Sequence, residues 1–301
     1  MDLSVCIGNG TLPYPVGLAS GTFGYGSEYE TLVDLSRMGA VFAKSVTRKP
    51  RPGNENPRIV ETPSGLLNSI GLANIGLDKF LSQKMPLFKG FPCPVVANIA
   101  GFSEDEYAVV LEACASHDEI WGFEINISCP NVSHGGLAFG TDVKVVERLV
   151  ARLRKITPKP LIVKLTPNVT DICEIARASE ESGADALTCI NTLVGMVVDV
   201  QKKAPLLGNV TGGLSGPAIR PVGVAIVYKV SRAVSIPVMG LGGIMTADDA
   251  IEYLLAGASF VQIGTATFVD PGIPARVVQG IEDYMKKEGC VRVSDIRSLM
   301  A

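Results

Sequence analysis

The sequence predicts an α/β fold, a single (β/α)8 barrel spanning residues 1–301 with long loops over the face where its strands end. Three observations carry that expectation. Short apolar, β-branched runs alternate with longer amphipathic segments along the whole chain, the runs number eight, and 301 residues suit a fold of this kind. Near-continuous apolar runs are what a parallel sheet requires when helices cover both of its faces. An open doubly wound sheet fits the same alternation, because periodicity alone does not show closure.

The strands are expected at "VGLAS" (16–20), "AVFAKSV" (40–46), "PVVANIA" (94–100), "GFEINIS" (122–128), "PLIVKLT" (160–166), "ALTCINT" (186–192), "IPVMGLG" (236–242) and "FVQIGTA" (260–266). Between them the pattern predicts helices over 28–38, 104–117, 141–156, 170–182, 218–233, 246–256 and 272–288. Ser103 before "EDEY" and Thr246 before "ADDA" supply N-caps, because a short side-chain oxygen there accepts an otherwise unpaired backbone N–H. Two stretches break the rhythm: 47–74, rich in Pro, Gly and Asn, and 193–217. Both exceed ordinary connections, so they are expected to be functional loops over the active face.

Composition narrows the function. A formal net charge of −3 and no Lys/Arg cluster interleaved with aromatics give no footprint for nucleic acid. No stretch approaches the roughly 20 apolar residues that span a bilayer, and the first residues lack a signal-peptide pattern, so a cytoplasmic protein without membrane contact is expected. The seven cysteines are scattered and never spaced C-x-x-C, which disfavours a disulfide framework, a metal site or an iron–sulfur cluster in this chain.

Chemistry in a β/α barrel collects at the C-terminal ends of the strands. Those positions hold Ser20 and Gly21, Lys44 and Ser45, Asn98, Asn126 and Cys129, Lys164, Asn191 and Thr192, Gly242 and Gly243, and Gly264 and Thr265. Two lysines and three amides on otherwise apolar strands point to a polar ligand, since a buried ammonium without a partner is costly. "GLGGI" (240–244) and "IGTA" (263–266), after strands 7 and 8, are a phosphate-site signal: glycines let backbone N–H groups approach an anion. No G-x-G-x-x-G follows the first strand, which disfavours a Rossmann nicotinamide site. Lys164 could serve as a Schiff-base amine or as a cation beside a reduced flavin. His117 reads as a surface residue, and His134 as a loop residue near substrate or water.

"NISCPN" (126–131), together with "ASGTFG" (19–24), "KSVT" (44–47), "NSIGL" (68–72), "VKLTPN" (163–168), "INT" (190–192), "GLGGI" and "IGTA", closely resembles dihydroorotate dehydrogenase, an FMN-dependent β/α barrel of pyrimidine biosynthesis. The resemblance covers essentially the whole chain, with the motifs in family order. It implies oxidation of dihydroorotate to orotate, with Cys129 as the base that removes the C5 proton while hydride passes from C6 to N5 of FMN. It implies FMN binding by Ser20, Lys44, Ser45, Asn98, Asn126, Lys164, Ile190, Gly216, Gly242, Gly243, Gly264 and Thr265. Asn68, Asn126, Asn191 and Thr192 would hold the orotate ring and carboxylate, with Lys44 and the segment Ser69, Ile70, Gly71 and Leu72 assisting.

Cysteine at this loop position marks class 1 of the family, without the N-terminal extension of the membrane-bound class 2. "NVSHGGLAFGTD" (131–142) resembles class 1B, whose catalytic chain works with a subunit carrying FAD and a [2Fe–2S] cluster and passes electrons to NAD. A homodimer of catalytic chains within a heterotetramer of two catalytic and two electron-transfer chains is then expected. Class 1A, a homodimer using fumarate, is the neighbouring alternative, as is another dihydropyrimidine-oxidising flavin barrel. An aldolase or lyase using Lys164 is the reading from a different class. The thiol has an ordinary pKa of about 8.5, and a closed polar site moves it toward the operating pH, where a general base is most effective. Pro130, Gly135 and Gly136 suit a loop that folds over substrate.

Overall fold

The computed structural model describes residues 1–26, 28–29, 31–127 and 139–300. Eight parallel strands close into a barrel: Val16–Leu18, Ala40–Phe42, Val95–Ile99, Gly122–Asn126, Leu161–Lys164, Ala186–Cys189, Val238–Leu241 and Phe260–Ile263. Each pairs with its neighbour in sequence, and the eighth pairs with the first through Val261 and Val16. Closure rules out the open doubly wound alternative. Every residue of the third, fourth, fifth, sixth and eighth strands is buried, as strands packed between a barrel interior and a ring of helices must be.

Helices Glu104–Ala115, Val143–Arg154, Ile172–Glu181, Arg220–Ala233, Ala247–Ala256 and Ile273–Glu288 form the outer ring, close to their expected places. Ser103 caps the first by accepting from the Glu106 N–H, and Thr246 forms a reciprocal capping box with Asp249. Helix Val143–Arg154 shows the packing logic: Val145, Val146, Leu149, Val150 and Leu153 recur at helical spacing and are buried, while Lys144, Glu147 and Arg148 are not. Each such side chain stabilises by about 1.5–3 kcal/mol relative to exposure. Truncating Leu149 to alanine would cost about 2–5 kcal/mol.

The expected helix over 28–38 does not form: among its described residues only Leu35–Arg37 is helical, as a single 3-10 turn. The reason is local. Asp34 accepts from the Ser36 N–H and hydroxyl, capping the chain at a point that a continuous helix would need to run through. Helical turns the periodicity did not predict occupy Leu77–Gly90 instead, burying Leu77, Phe80, Met85 and Phe88.

The two long excursions are not separate loops. Ile59–Thr62 and Gly65–Asn68 from the first pair antiparallel with Gly212–Ser215 and Leu193–Gly195 from the second, making one four-stranded sheet. At the other end, the hairpin Val5–Ile7/Gly10–Leu12 lies against Trp121, Pro160 and Asp185, which stand just before strands 4, 5 and 6. One end of the barrel is thus plugged, and the excursion sheet rims the end where the strands finish.

Candidate active site

A cavity of about 480 Å³ opens at the C-terminal end of the barrel, within the size range of small-molecule sites. Its wall takes residues from strand ends all round the barrel and from the excursion sheet. Ser20, Lys44, Ser45, Asn126, Lys164, Ile190, Asn191, Thr192, Gly242, Gly243, Gly264 and Thr265 line it, and so do Asn68, Ser69, Ile70, Gly71 and Leu72 from the first excursion and Gly216 from the second. Of the expected site residues, Asn98 stands behind this wall: its amide donates to Ser20 at 3.2 Å, and its oxygen accepts from Ser45. Cys129 and His134 lie outside the described residues. His117 is on the surface beside Glu119, away from the cavity.

The cavity floor is built on a carboxylate. Glu124, in the fourth strand, is fully buried, and its two oxygens accept four hydrogen bonds. Asn98 donates at 2.6 Å and Ser20 at 3.3 Å to one oxygen; Thr188 at 2.9 Å and Gln262 at 3.1 Å donate to the other. The Lys164 ammonium lies 3.7 Å from Glu124 and donates to the Ser20 hydroxyl at 3.3 Å. Such an ion pair holds a charged ammonium, whereas a Schiff-base nucleophile must be a free amine. Asn126, two residues on from Glu124 and therefore on the same face of the strand, donates to Ser45 at 3.5 Å. Its backbone carbonyl is held by the Tyr107 hydroxyl at 2.7 Å.

Lys44 has a different setting. Burial pushes its ammonium below the usual lysine range, with no opposing charge among the described residues to offset the desolvation. A buried cation in a cavity wall fits an anionic or electron-rich ligand. On the opposite side, Gly242 and Gly243 have φ of +132° and +72°, a backbone that only glycine adopts readily. A Cβ on Gly243 would come within 2.8 Å of the Gly216 carbonyl oxygen and 3.0 Å of the Arg220 nitrogen. Thr265 donates to Ser215 at 2.8 Å, linking the eighth strand end to the excursion sheet. Arg220, whose backbone abuts Gly243, turns its guanidinium to Asp249 and Glu252.

Glu124, Thr188 and Gln262 were not among the residues expected at the site. A signal was present: each is a lone polar residue in an apolar run, two positions before a cavity-lining residue (Asn126, Ile190 and Gly264), so strand alternation puts both on the inner face. Asn168, in "TPN", was also missed as a cavity residue; it donates to the Thr192 carbonyl at 3.0 Å and accepts from the Val194 N–H. Among the described residues, no group of three His, Cys, Asp or Glu could hold a metal ion, and no helix is long and apolar enough to cross a membrane.

A closed β/α barrel whose strand ends meet in one polar cavity, with a glycine turn after strand 7, a glycine after strand 8 and a lysine fixed over its floor, defines a barrel enzyme for a polar small molecule. The chain belongs to the dihydroorotate dehydrogenase family, whose sequence model matches residues 2–285. Relatives cover almost the whole chain. One from Geotalea daltonii is 49% identical over 299 residues, 99% of this chain and 97% of the relative. One from Trichlorobacter lovleyi is 51% identical over 298 residues, again 99% and 97%. One from Bacteroides thetaiotaomicron is 48% identical over 295 residues, 98% and 97%. All three are named dihydroorotate dehydrogenase B (NAD(+)), catalytic subunit.

Proposed function

We infer that this chain is an FMN-dependent oxidoreductase that converts dihydroorotate to orotate in pyrimidine biosynthesis, with a separate subunit passing the electrons to NAD. The observation that carries the reading is one cavity that gathers a buried lysine, an ion-paired lysine, several amides and a glycine turn in a chain of this family. The names of the relatives, each the catalytic subunit of an NAD(+) enzyme, favour this acceptor over fumarate.

The residues present fit FMN. Gly242 and Gly243 take a positive-φ turn, and Gly243 packs so closely on the Gly216 carbonyl and the Arg220 backbone that only glycine fits, a strand end of the kind at which main-chain N–H groups can approach a phosphate. Gly216, Gly264 and Thr265 complete that end. Ser20, Ser45, Asn126, Lys164 and Ile190 would form the floor and wall for the ring, with Asn98 behind them holding Ser20 and Ser45, and the Lys164 cation would favour the electron-rich, reduced form. When bound, FMN supplies the hydride acceptor.

The chain's own groups do the rest. Asn68, Asn126, Asn191 and Thr192 orient the substrate ring and carboxylate, and the ammonium of Lys44 meets its negative charge. Ser69, Ile70, Gly71 and Leu72 close one side. Cys129 Sγ takes the C5 proton as general base. The excursion sheet walls part of the cavity, and the less water such a cavity holds, the stronger each of these electrostatic contacts becomes.

Electron transfer onward needs a partner, because the chain holds no cysteine spacing for a cluster and no nicotinamide fingerprint. The partner carries FAD and a [2Fe–2S] cluster, and the assembly is a cytoplasmic heterotetramer of two catalytic and two electron-transfer chains built on a catalytic homodimer. Val194, Met196, Val198 and Val200, all exposed on the second excursion, are surface that such an assembly would cover.

The test is anaerobic addition of dihydroorotate to the purified, FMN-loaded chain, followed by flavin absorbance. Bleaching that fumarate does not reverse, and that NAD reverses only with the second subunit, is the expected result. Reoxidation by fumarate would assign the fumarate-using class instead. A chain that neither binds FMN nor bleaches would overturn the reading.

A further inference from the structure

We propose that Glu124 is a positioning residue that holds Lys164 in place and, through the charge it sets against that lysine, tunes the redox potential of the bound flavin. The inference rests on the FMN reading above and concerns a residue that this reading does not use.

The environment of Glu124 shows which form it takes. Its Oε1 accepts from the Asn98 and Ser20 side chains, and its Oε2 from Thr188 and Gln262. The amides of Asn98 and Gln262 can only donate at the nitrogens that face it, so an ionised carboxylate satisfies the site where a protonated acid would bring a second proton against donors. The donors come from five places around the barrel: the end of the first strand and strands 3, 5, 6 and 8 when Lys164 is counted. A carboxylate so held cannot move with the ligand.

Lys164 is nine-tenths buried, and its ammonium has two described partners: the Ser20 hydroxyl at 3.3 Å and Glu124 at 3.7 Å. Ser20 itself donates to Glu124, so the lysine is steered by the same carboxylate both directly and through the hydroxyl. A cation beside the flavin favours the electron-rich, reduced ring, and a fixed anion behind that cation lowers its effect. The balance of the two charges, not the lysine alone, sets how readily the flavin accepts electrons from substrate and gives them up.

Glu124→Gln removes the charge and keeps the shape. The vacated acceptor can be replaced locally: Gln262 Oε1 has no hydrogen-bond partner among the described residues, so a flip of that amide turns an acceptor toward the new NH2, and the Thr188 hydroxyl can rotate to accept as well. Redox titration of the FMN-loaded chain against reference dyes reads the effect. With the anion gone, the equilibrium for flavin reduction is expected to move about tenfold toward the reduced form, which for a two-electron couple is a rise of about 30 mV. FMN stays bound and dihydroorotate still bleaches it.

Glu124→Asp keeps the charge and draws it back by one methylene, so a smaller rise, about threefold in the same equilibrium, is expected; it also serves if the Gln variant does not fold. A residue with a purely structural role would alter melting temperature or FMN retention and leave the potential of the bound flavin where it was. A bound, substrate-reducible flavin whose potential is unchanged in either variant overturns this inference and leaves the functional reading standing. A wild-type chain that does not take up FMN overturns both.

Discussion

The buried hydroxyl of Tyr253 donates to the Gly242 carbonyl at 2.8 Å, so the helix Ala247–Ala256 is tied directly to the glycine turn that ends the seventh strand. The ring also fills the space beside Gly240 and Gly223, where any side chain on either glycine would collide with it. Burial pushes the phenol up, which keeps it a donor at every pH the protein meets. Tyr253→Phe removes one buried hydrogen bond and leaves the ring in place. The expected loss is about 1 kcal/mol, a fall of about 2 °C in melting temperature by calorimetry. FMN affinity should weaken a few-fold, because Gly242 loses its tether.

Gly243→Ala tests the cradle itself. A non-glycine residue at φ +72° costs of order 1–3 kcal/mol, and the added Cβ would press on the Gly216 carbonyl oxygen at 2.8 Å. FMN affinity, followed by the recovery of free flavin fluorescence on dissociation, should weaken by about tenfold or more. Unchanged affinity would remove this turn from the phosphate site.

Cys129→Ser tests the assigned base. FMN and orotate binding should persist while kcat/KM for dihydroorotate falls by about 100-fold or more, with the rate optimum displaced to higher pH because a hydroxyl is a far weaker acid than a thiol. Turnover unchanged at neutral pH would refute the role.

The buried thiols make a prediction about alkaline stability. Burial raises Cys93, Cys114 and Tyr25 to about 12, above the ordinary range of a thiol or a phenol. Well below pH 9 these groups are protonated whether the chain is folded or not, so they add no pH dependence there. Above it the unfolded chain releases protons that the folded one retains, so stability falls as pH rises from 9 toward 12. Melting temperature against pH should decline over that window, and Cys93→Ala should flatten part of the decline. At pH 8 a thiol reagent should label exposed Cys6 while Cys93 and Cys114 remain unmodified until denaturant is added.

Most of the site could be read from residue order because a closed barrel turns each strand end toward one face. Lys44, Asn126, Lys164 and Asn191 are far apart in sequence and line one cavity for that reason alone. The helix expected at 28–38 failed through a side chain: Asp34 competes for backbone N–H groups in a way that hydrophobic spacing does not register. Glu124 escaped notice because the residues that explain it, Asn98, Thr188 and Gln262, belong to other strands, and a lone carboxylate in "FEINI" has no local partner to announce it.

By itself, then, the sequence determined the alternation of strand and helix, the placement of polar residues at strand ends and the glycines that only special backbone conformations use, since these depend on spacing and on single-residue sterics. Tertiary structure alone decided that the strands close into a barrel, that 59–68 and 193–215 join in one sheet, and that Glu124 and Lys164 meet beneath the cavity. Those relationships join residues tens to hundreds of positions apart, and only the packed chain brings such residues within a few ångströms.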